Sequence, residues 1–125
     1  MKSAIATDKA PKAAGPYSQG ISFHNLIFTS GQIALDPKTN KLVSGGIKEQ
    51  VRQVMSNLKA VLSAADSDLE KVIKTTVFLK DINDFSVFNE IYAEYFSGTL
   101  PARSAFQVAA LPLNAMVEIE MIAHR

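Results

Sequence analysis

A chain of 125 residues, 47% of them hydrophobic, can bury one core and is too short for two, so a single domain over residues 1–125 is expected. Thirteen Lys and Arg against twelve Asp and Glu leave a formal charge of +1, and the basic residues are scattered singly, which gives nucleic acid or an anionic membrane no patch to hold. The absence of Cys excludes disulfides, thiolate metal sites, iron–sulfur clusters and thiol nucleophiles together.

The first twenty residues, "MKSAIATDKAPKAAGPYSQG", have Asp8 early and no apolar leader-type run, and no later stretch has the length to span a bilayer. They read as loop with at most a short strand, in a soluble protein that is cytoplasmic by default, an organelle being left open. "ISFHNLIFTSGQI" has two β-prone runs around His24-Asn25, a pair that tolerates the positive φ of a tight turn, and predicts a hairpin of residues 21–23 and 26–29. A loop follows at Ser30-Gly31, and "LDPKTNKLVSGG" is turn chemistry throughout.

In "IKEQVRQVMSNLKAVLSAAD" the residues Ile47, Val51, Val54, Met55, Leu58, Val61, Leu62 and Ala65 recur at helical spacing, and the pattern predicts a helix with Gly46 or Ser44 at its start. "EKVIKTTVFLKD" sets Ile73, Thr75, Val77 and Leu79 against Val72, Lys74, Thr76 and Phe78, a strand rich in β-branched residues. "DINDFSVFNEIYAEYFSG" predicts a second helix, capped by Asn and Asp and running to Gly98. Two more strands, residues 103–109 and 116–123, complete the order. The sum is an α/β fold, one mixed sheet covered on one face by two helices. Its other face needs a partner, which oligomerisation would supply.

Arg103 is the single charge in "LPARSAFQVAALP", and Glu118 and Glu120 occupy one face of "AMVEIEMIAHR". If the last two strands pair as a hairpin about Pro112-Leu113, Arg103, Ala105 and Gln107 share a face with Glu118, Glu120 and Ile122. Two readings stand at this point. One is a cross-strand ion pair, contributing about 0.2–1 kcal/mol. The other is a site in which the planar fork of Arg103 holds a ligand carboxylate while Glu118 handles a proton or a water. "GPYSQG" and "TSGQI" offer small donors on loops, or simply tight bends. The two histidines, His24 and His124, lack ligand spacing for a metal. No G-x-S-x-G elbow or Gly-rich phosphate motif occurs.

Together, "GPYSQG", "FTSGQIALDP", "LVSGG", "KTTVFLKDINDFSVFNEIYAEYF" and "PARSAFQVAALP" followed by "VEIEMIA" resemble the reactive intermediate deaminases of the RidA or YjgF type, collinearly over residues 9–123. The resemblance implies a chorismate-mutase-like fold, a homotrimer with clefts between subunits, and hydrolysis of 2-imino acids to 2-keto acids and ammonia. Neither cofactor nor metal is implied. The expected substrates are 2-iminobutanoate and 2-iminopropanoate, released by pyridoxal phosphate-dependent dehydratases. By position, Arg103 matches the carboxylate-binding Arg and Glu118 the water-handling carboxylate, with Glu120 structural. Tyr17, Ser30, Gly31 and Asn89 match residues that line or support the cleft. Ala105 stands where relatives often carry Cys, which implies that this position serves through its backbone. A non-catalytic module sensing a small carboxylate, an RNA-directed translation inhibitor or ribonuclease, and a chaperone-like role are the competing readings. The RNA-directed one lacks a basic surface.

Overall fold

In the computed structural model, which describes residues 1–125, strands β2 (Gly20–Phe23) and β3 (Leu26–Thr29) form the expected hairpin. His24 takes the positive φ, +54°, at its turn. A short N-terminal strand, β1 (Ser3–Ile5), adds to the free side of β2.

Helix α1 (Ile47–Ala64) begins after Gly46, whose N–H donates to the side chain of Glu49 at 2.8 Å, the reciprocal contact that stabilises a helix start. Val51, Val54, Met55, Leu58, Val61 and Leu62 are wholly buried, each contributing about 1.5–3 kcal/mol by leaving water. Gln50 and Asn57 are buried in the same stripe. Gln50 Oε1 accepts from Met116 N at 2.9 Å, and Asn57 Nδ2 donates to the carbonyls of Ile33 and Leu35 at 3.3 and 2.9 Å. The helix thereby fixes the loop after β3 and the approach to the last strand.

Strand β4 (Val72–Leu79) departs from simple alternation. Its register with the last strand shifts between Val72 and Lys74, and this bulge turns Ile73 outward while Val72, Thr75, Val77 and Leu79 are buried. Helix α2 (Phe85–Ala93) is shorter than the sequence suggests. A 3-10 turn at Ile82–Asp84 precedes it, with Asn83 N donating to Asp81 Oδ1 at 2.9 Å. The chain must then return to pair Ala102 with Lys74, a distance covered more economically by extended backbone than by helix.

The last two strands are not a hairpin. β5 (Ala102–Gln107) runs parallel to β4, and β6 (Val117–His124) lies between β3 and β4, antiparallel to both. The sheet order is β1-β2-β3-β6-β4-β5. Burial explains the choice: Val117, Ile119, Met121 and Ala123 are at most 1% exposed and require the centre of the sheet, whereas almost every residue of β5 is exposed and suits an edge. Both helices pack on the face carrying those four residues. The opposite face leaves Phe23, Leu26, Phe28 and Phe106 exposed by 37–44%. No helix is long and apolar enough to cross a membrane.

Candidate active site

Alternation along β6 sends Glu118 to the face that the helices leave open, opposite Phe78 of β4. The loop after β3 is drawn against it by a two-way bridge: Gln32 N donates to Ile119 O at 2.9 Å and Ile119 N to Gln32 O at 3.2 Å. Gly31 thereby lies so close to Glu118 that a Cβ on it would overlap the carboxyl group. Its own N–H is engaged by no backbone carbonyl of the chain. Ser30 is tied down instead, its N–H donating to Gln19 O at 2.9 Å and its hydroxyl to Ser18 O at 2.6 Å. Gln19, buried, knots the preceding loop by accepting from Thr7 N at 2.7 Å and donating to the Pro11 carbonyl at 2.7 Å.

Tyr17, half exposed, accepts from Ala14 N at 3.3 Å. It borders, with Ser30, Gly31, Ile33, Leu113 and Glu118, a cleft of about 510 Å³. Partial burial, and then the charge of Glu120, hold the Glu118 carboxyl above its ordinary value. The chain's single ion pair is Arg52–Glu94, so Glu118 has no cationic partner of its own.

Arg103 lies elsewhere. It pairs in register with Thr75, which pairs with Met121, so its side chain leaves the sheet on the helix-covered face. There Nη1 donates to Asn89 Oδ1 of α2 at 2.8 Å. The guanidinium carbon stands 5.0, 5.3 and 5.9 Å from the ring centroids of Tyr92, Phe85 and Phe88, within cation–π range. Ala105 follows on the same face, opposite Val77 and packed at the margin of the core. A second cleft, about 620 Å³, is bordered by Asn89, Tyr92, Phe96, Leu100, Pro101 and Arg103.

The seven expected site residues therefore fall into two groups. Tyr17, Ser30, Gly31 and Glu118 surround one cleft; Arg103 and Asn89 border the other, with Ala105 beside them. The expectation that Arg103 and Glu118 share a surface is corrected, because β4 lies between their strands and they leave the sheet on opposite faces. Two strand spacings and three residues of offset put their Cα atoms about 14 Å apart. An intrachain ion pair is ruled out by the same geometry. Asn89 contacts the Arg103 guanidinium directly.

Several contributors escape a reading of the sequence: Gln19, Gln50 and Asn57, which set the loops, and Thr75 with Tyr92 beside Arg103. A polar residue inside an otherwise apolar stripe is the signal that marks Gln50 and Asn57. Chemically, one half presents a fork-shaped cation and the other a carboxyl group of raised proton affinity beside an uncommitted amide. No group of three or more His, Asp or Glu side chains is placed to hold a metal ion.

The model of the family described as Endoribonuclease L-PSP matches residues 7–125. A RutC family protein of Pyrococcus horikoshii is 54% identical over 125 residues, covering 100% of this chain and 99% of its own. The 2-iminobutanoate/2-iminopropanoate deaminase of Mus musculus is 52% identical over 123 residues, 98% of this chain and 91% of its own. Among solved structures, E. coli TdcF with bound serine superposes with a TM-score of 0.94 at 42% identity, covering 98% of each chain.

Proposed function

The chain belongs to the Endoribonuclease L-PSP, or RidA/YjgF, family, and from that premise we propose a hydrolytic deaminase of 2-imino acids whose site is completed by a second subunit. The observation that carries the reaction is the near half-identity, over almost the whole chain, to a 2-iminobutanoate/2-iminopropanoate deaminase. The substrates are small 2-imino acids, 2-iminobutanoate and 2-iminopropanoate, and the products are 2-keto acids and ammonia.

The assembly is a homotrimer of chorismate-mutase-like subunits. Two features support it. The open sheet face carries exposed Phe23, Leu26, Phe28 and Phe106, an apolar surface of the kind that marks an interface. The Arg103 half and the Glu118 half also lie on opposite faces of one sheet, so a neighbouring copy has to bring one to the other. A cyclic arrangement repeats that junction once per subunit.

A protonated imine is already a strong electrophile, so positioning and charge placement supply most of what is needed. Arg103 holds the substrate carboxylate through two parallel hydrogen bonds, and Asn89 holds Arg103. The free Gly31 amide donates to the ligand, and Tyr17 closes the cleft with Ser30 bracing the loop beneath it. Glu118 orients water toward the imine carbon and takes its proton as the C–O bond forms. It returns that proton to nitrogen and then takes up the carbinolamine hydroxyl proton as the C=O bond forms and the C–N bond breaks; the ammonia released carries this last proton away as ammonium, which leaves Glu118 ionised again. The raised proton affinity of Glu118 suits a group that must accept and then give back a proton.

The test generates imines in situ with an amino-acid oxidase and traps them with semicarbazide. Addition of the protein slows semicarbazone formation for alanine- and 2-aminobutanoate-derived imines. Unchanged trapping across several amino acids refutes the deaminase reading, and binding of 2-oxobutanoate without acceleration would leave a carboxylate sensor in its place.

A further inference from the structure

The Arg103 guanidinium does not lie on bare surface. It rests against three rings presented by α2 at Phe85, Phe88 and Tyr92, with the Tyr92 ring nearest at 5.0 Å. Tyr92 is itself fixed from below. Its hydroxyl and that of Thr75 are 2.8 Å apart in a buried hydrogen bond, and Thr75 is wholly enclosed in the central part of β4.

Thr75 is also the register partner of Arg103. One strand position thus sets the lateral location of the guanidinium and, through the Tyr92 hydroxyl, the place of the ring beneath it. A buried hydroxyl pair costs stability if either partner is removed and contributes little net when both are present. A core position between Val72 and Val77 would be filled more simply by Val. Something other than packing is served by keeping two hydroxyls there, and the only charged group over the ring is Arg103.

We propose that Tyr92, its ring anchored at the hydroxyl by Thr75, is a positioning residue for the reaction, holding the Arg103 guanidinium in the orientation that receives the substrate carboxylate. Asn89 fixes one edge of the fork at Nη1, and the aromatic face fixes its plane. An arginine side chain left free would have to surrender its rotamer freedom on binding. Held in place, it presents both donors already aligned, and the gain appears as affinity.

This inference rests on the reading of Arg103 as the carboxylate binder, and the experiment separates the two. Wild type, Arg103→Ala, Tyr92→Leu and Tyr92→Phe are compared by KM and kcat for imine hydrolysis and by calorimetric Kd for 2-oxobutanoate. Loss of the ring in Tyr92→Leu raises KM and Kd by about tenfold, the scale of one partly desolvated cation–π contact. It leaves kcat within about twofold, because the carboxylate is held equally before and during the chemistry.

Tyr92→Phe, which keeps the ring, recovers most of the lost affinity even though its melting temperature falls with the orphaned Thr75 hydroxyl. A merely structural Tyr92 would show the reverse, with affinity indifferent to the ring. If Arg103→Ala weakens 2-oxobutanoate and Tyr92→Leu does not, the positioning role is overturned and the carboxylate-binding role stands; if Arg103→Ala changes nothing, both fall. Should Tyr92→Leu fail to fold, the wild-type protein still decides. The Arg103 guanidinium protons, assigned by NMR against Arg103→Lys, show an upfield ring-current shift that Thr75→Val reduces, and random-coil shifts overturn the proposal.

Discussion

Mixing two inactive variants distinguishes a site shared between subunits from one contained in a single chain. On the proposed mechanism Arg103→Ala removes the carboxylate fork, and Glu118→Gln removes the proton acceptor. Loss of two charge-assisted hydrogen bonds at about 1.5–3 kcal/mol each lowers Arg103→Ala by at least a hundredfold. The two residues leave one sheet on opposite faces with β4 between them, so each site in the proposed trimer draws Arg103 from one subunit and Glu118 from its neighbour. After equimolar mixing and complete subunit exchange, half of the Arg-side positions and half of the Glu-side positions are intact, independently. About one quarter of all sites then regain both groups. The assay is the semicarbazide competition, run on a mixture whose hybrid trimers have been verified by native mass spectrometry. Recovery to about one quarter of wild-type turnover is expected. Hybrid trimers that are no more active than the parents refute the shared site, because a self-contained chain carrying either substitution lacks one group in every copy.

Arg103→Lys keeps the charge but loses the second parallel hydrogen bond, and kcat/KM falls by about 10- to 150-fold, read from initial rates. For Glu118, burial and Glu120 raise the folded carboxyl above its ordinary value, so the folded chain binds more protons than the unfolded one between those two values and stability falls as pH rises through that window. Glu118→Gln therefore melts higher than wild type at neutral pH and gains nothing below the ordinary carboxylate range, measured by calorimetry at both. Glu120→Gln takes away the neighbouring charge that helps raise Glu118, and the acid limb of the pH–rate profile moves to lower pH. Gly31→Ala forces its Cβ into the Glu118 carboxyl group; displacing that group by about 1 Å costs on the order of a hundredfold in turnover, with circular dichroism unchanged.

The elements read correctly from the sequence are those fixed by neighbours along the chain. The hairpin follows from a turn residue able to take φ +54°, and α1 from an apolar stripe ending in a capped start. What the sequence misplaces is the pairing of β5 and β6. Proximity along the chain favours a hairpin there, yet strand order is decided by competition for the centre of the sheet. Four apolar residues on one side of β6 win that position against a β5 that exposes Arg103, Ser104, Phe106 and Gln107. The end of α2 is missed for a related reason: the register of Ala102 with Lys74 is a long-range constraint that overrides helical spacing at Tyr95 and Phe96.

The misplaced pairing changes the meaning of the site as well as the topology. On a hairpin, Arg103 and Glu118 would neutralise one another, and a ligand carboxylate would have to compete with Glu118 for the guanidinium. With β4 between them and opposite faces occupied, neither charge is spent within the chain. Arg103 keeps its fork open while Asn89 holds one edge, and Glu118 keeps a raised proton affinity that a nearby cation would lower. A lone chain thus keeps two unneutralised halves on separate faces, and on the proposed mechanism a substrate whose carboxylate and electrophilic carbon are adjacent uses both where two copies meet.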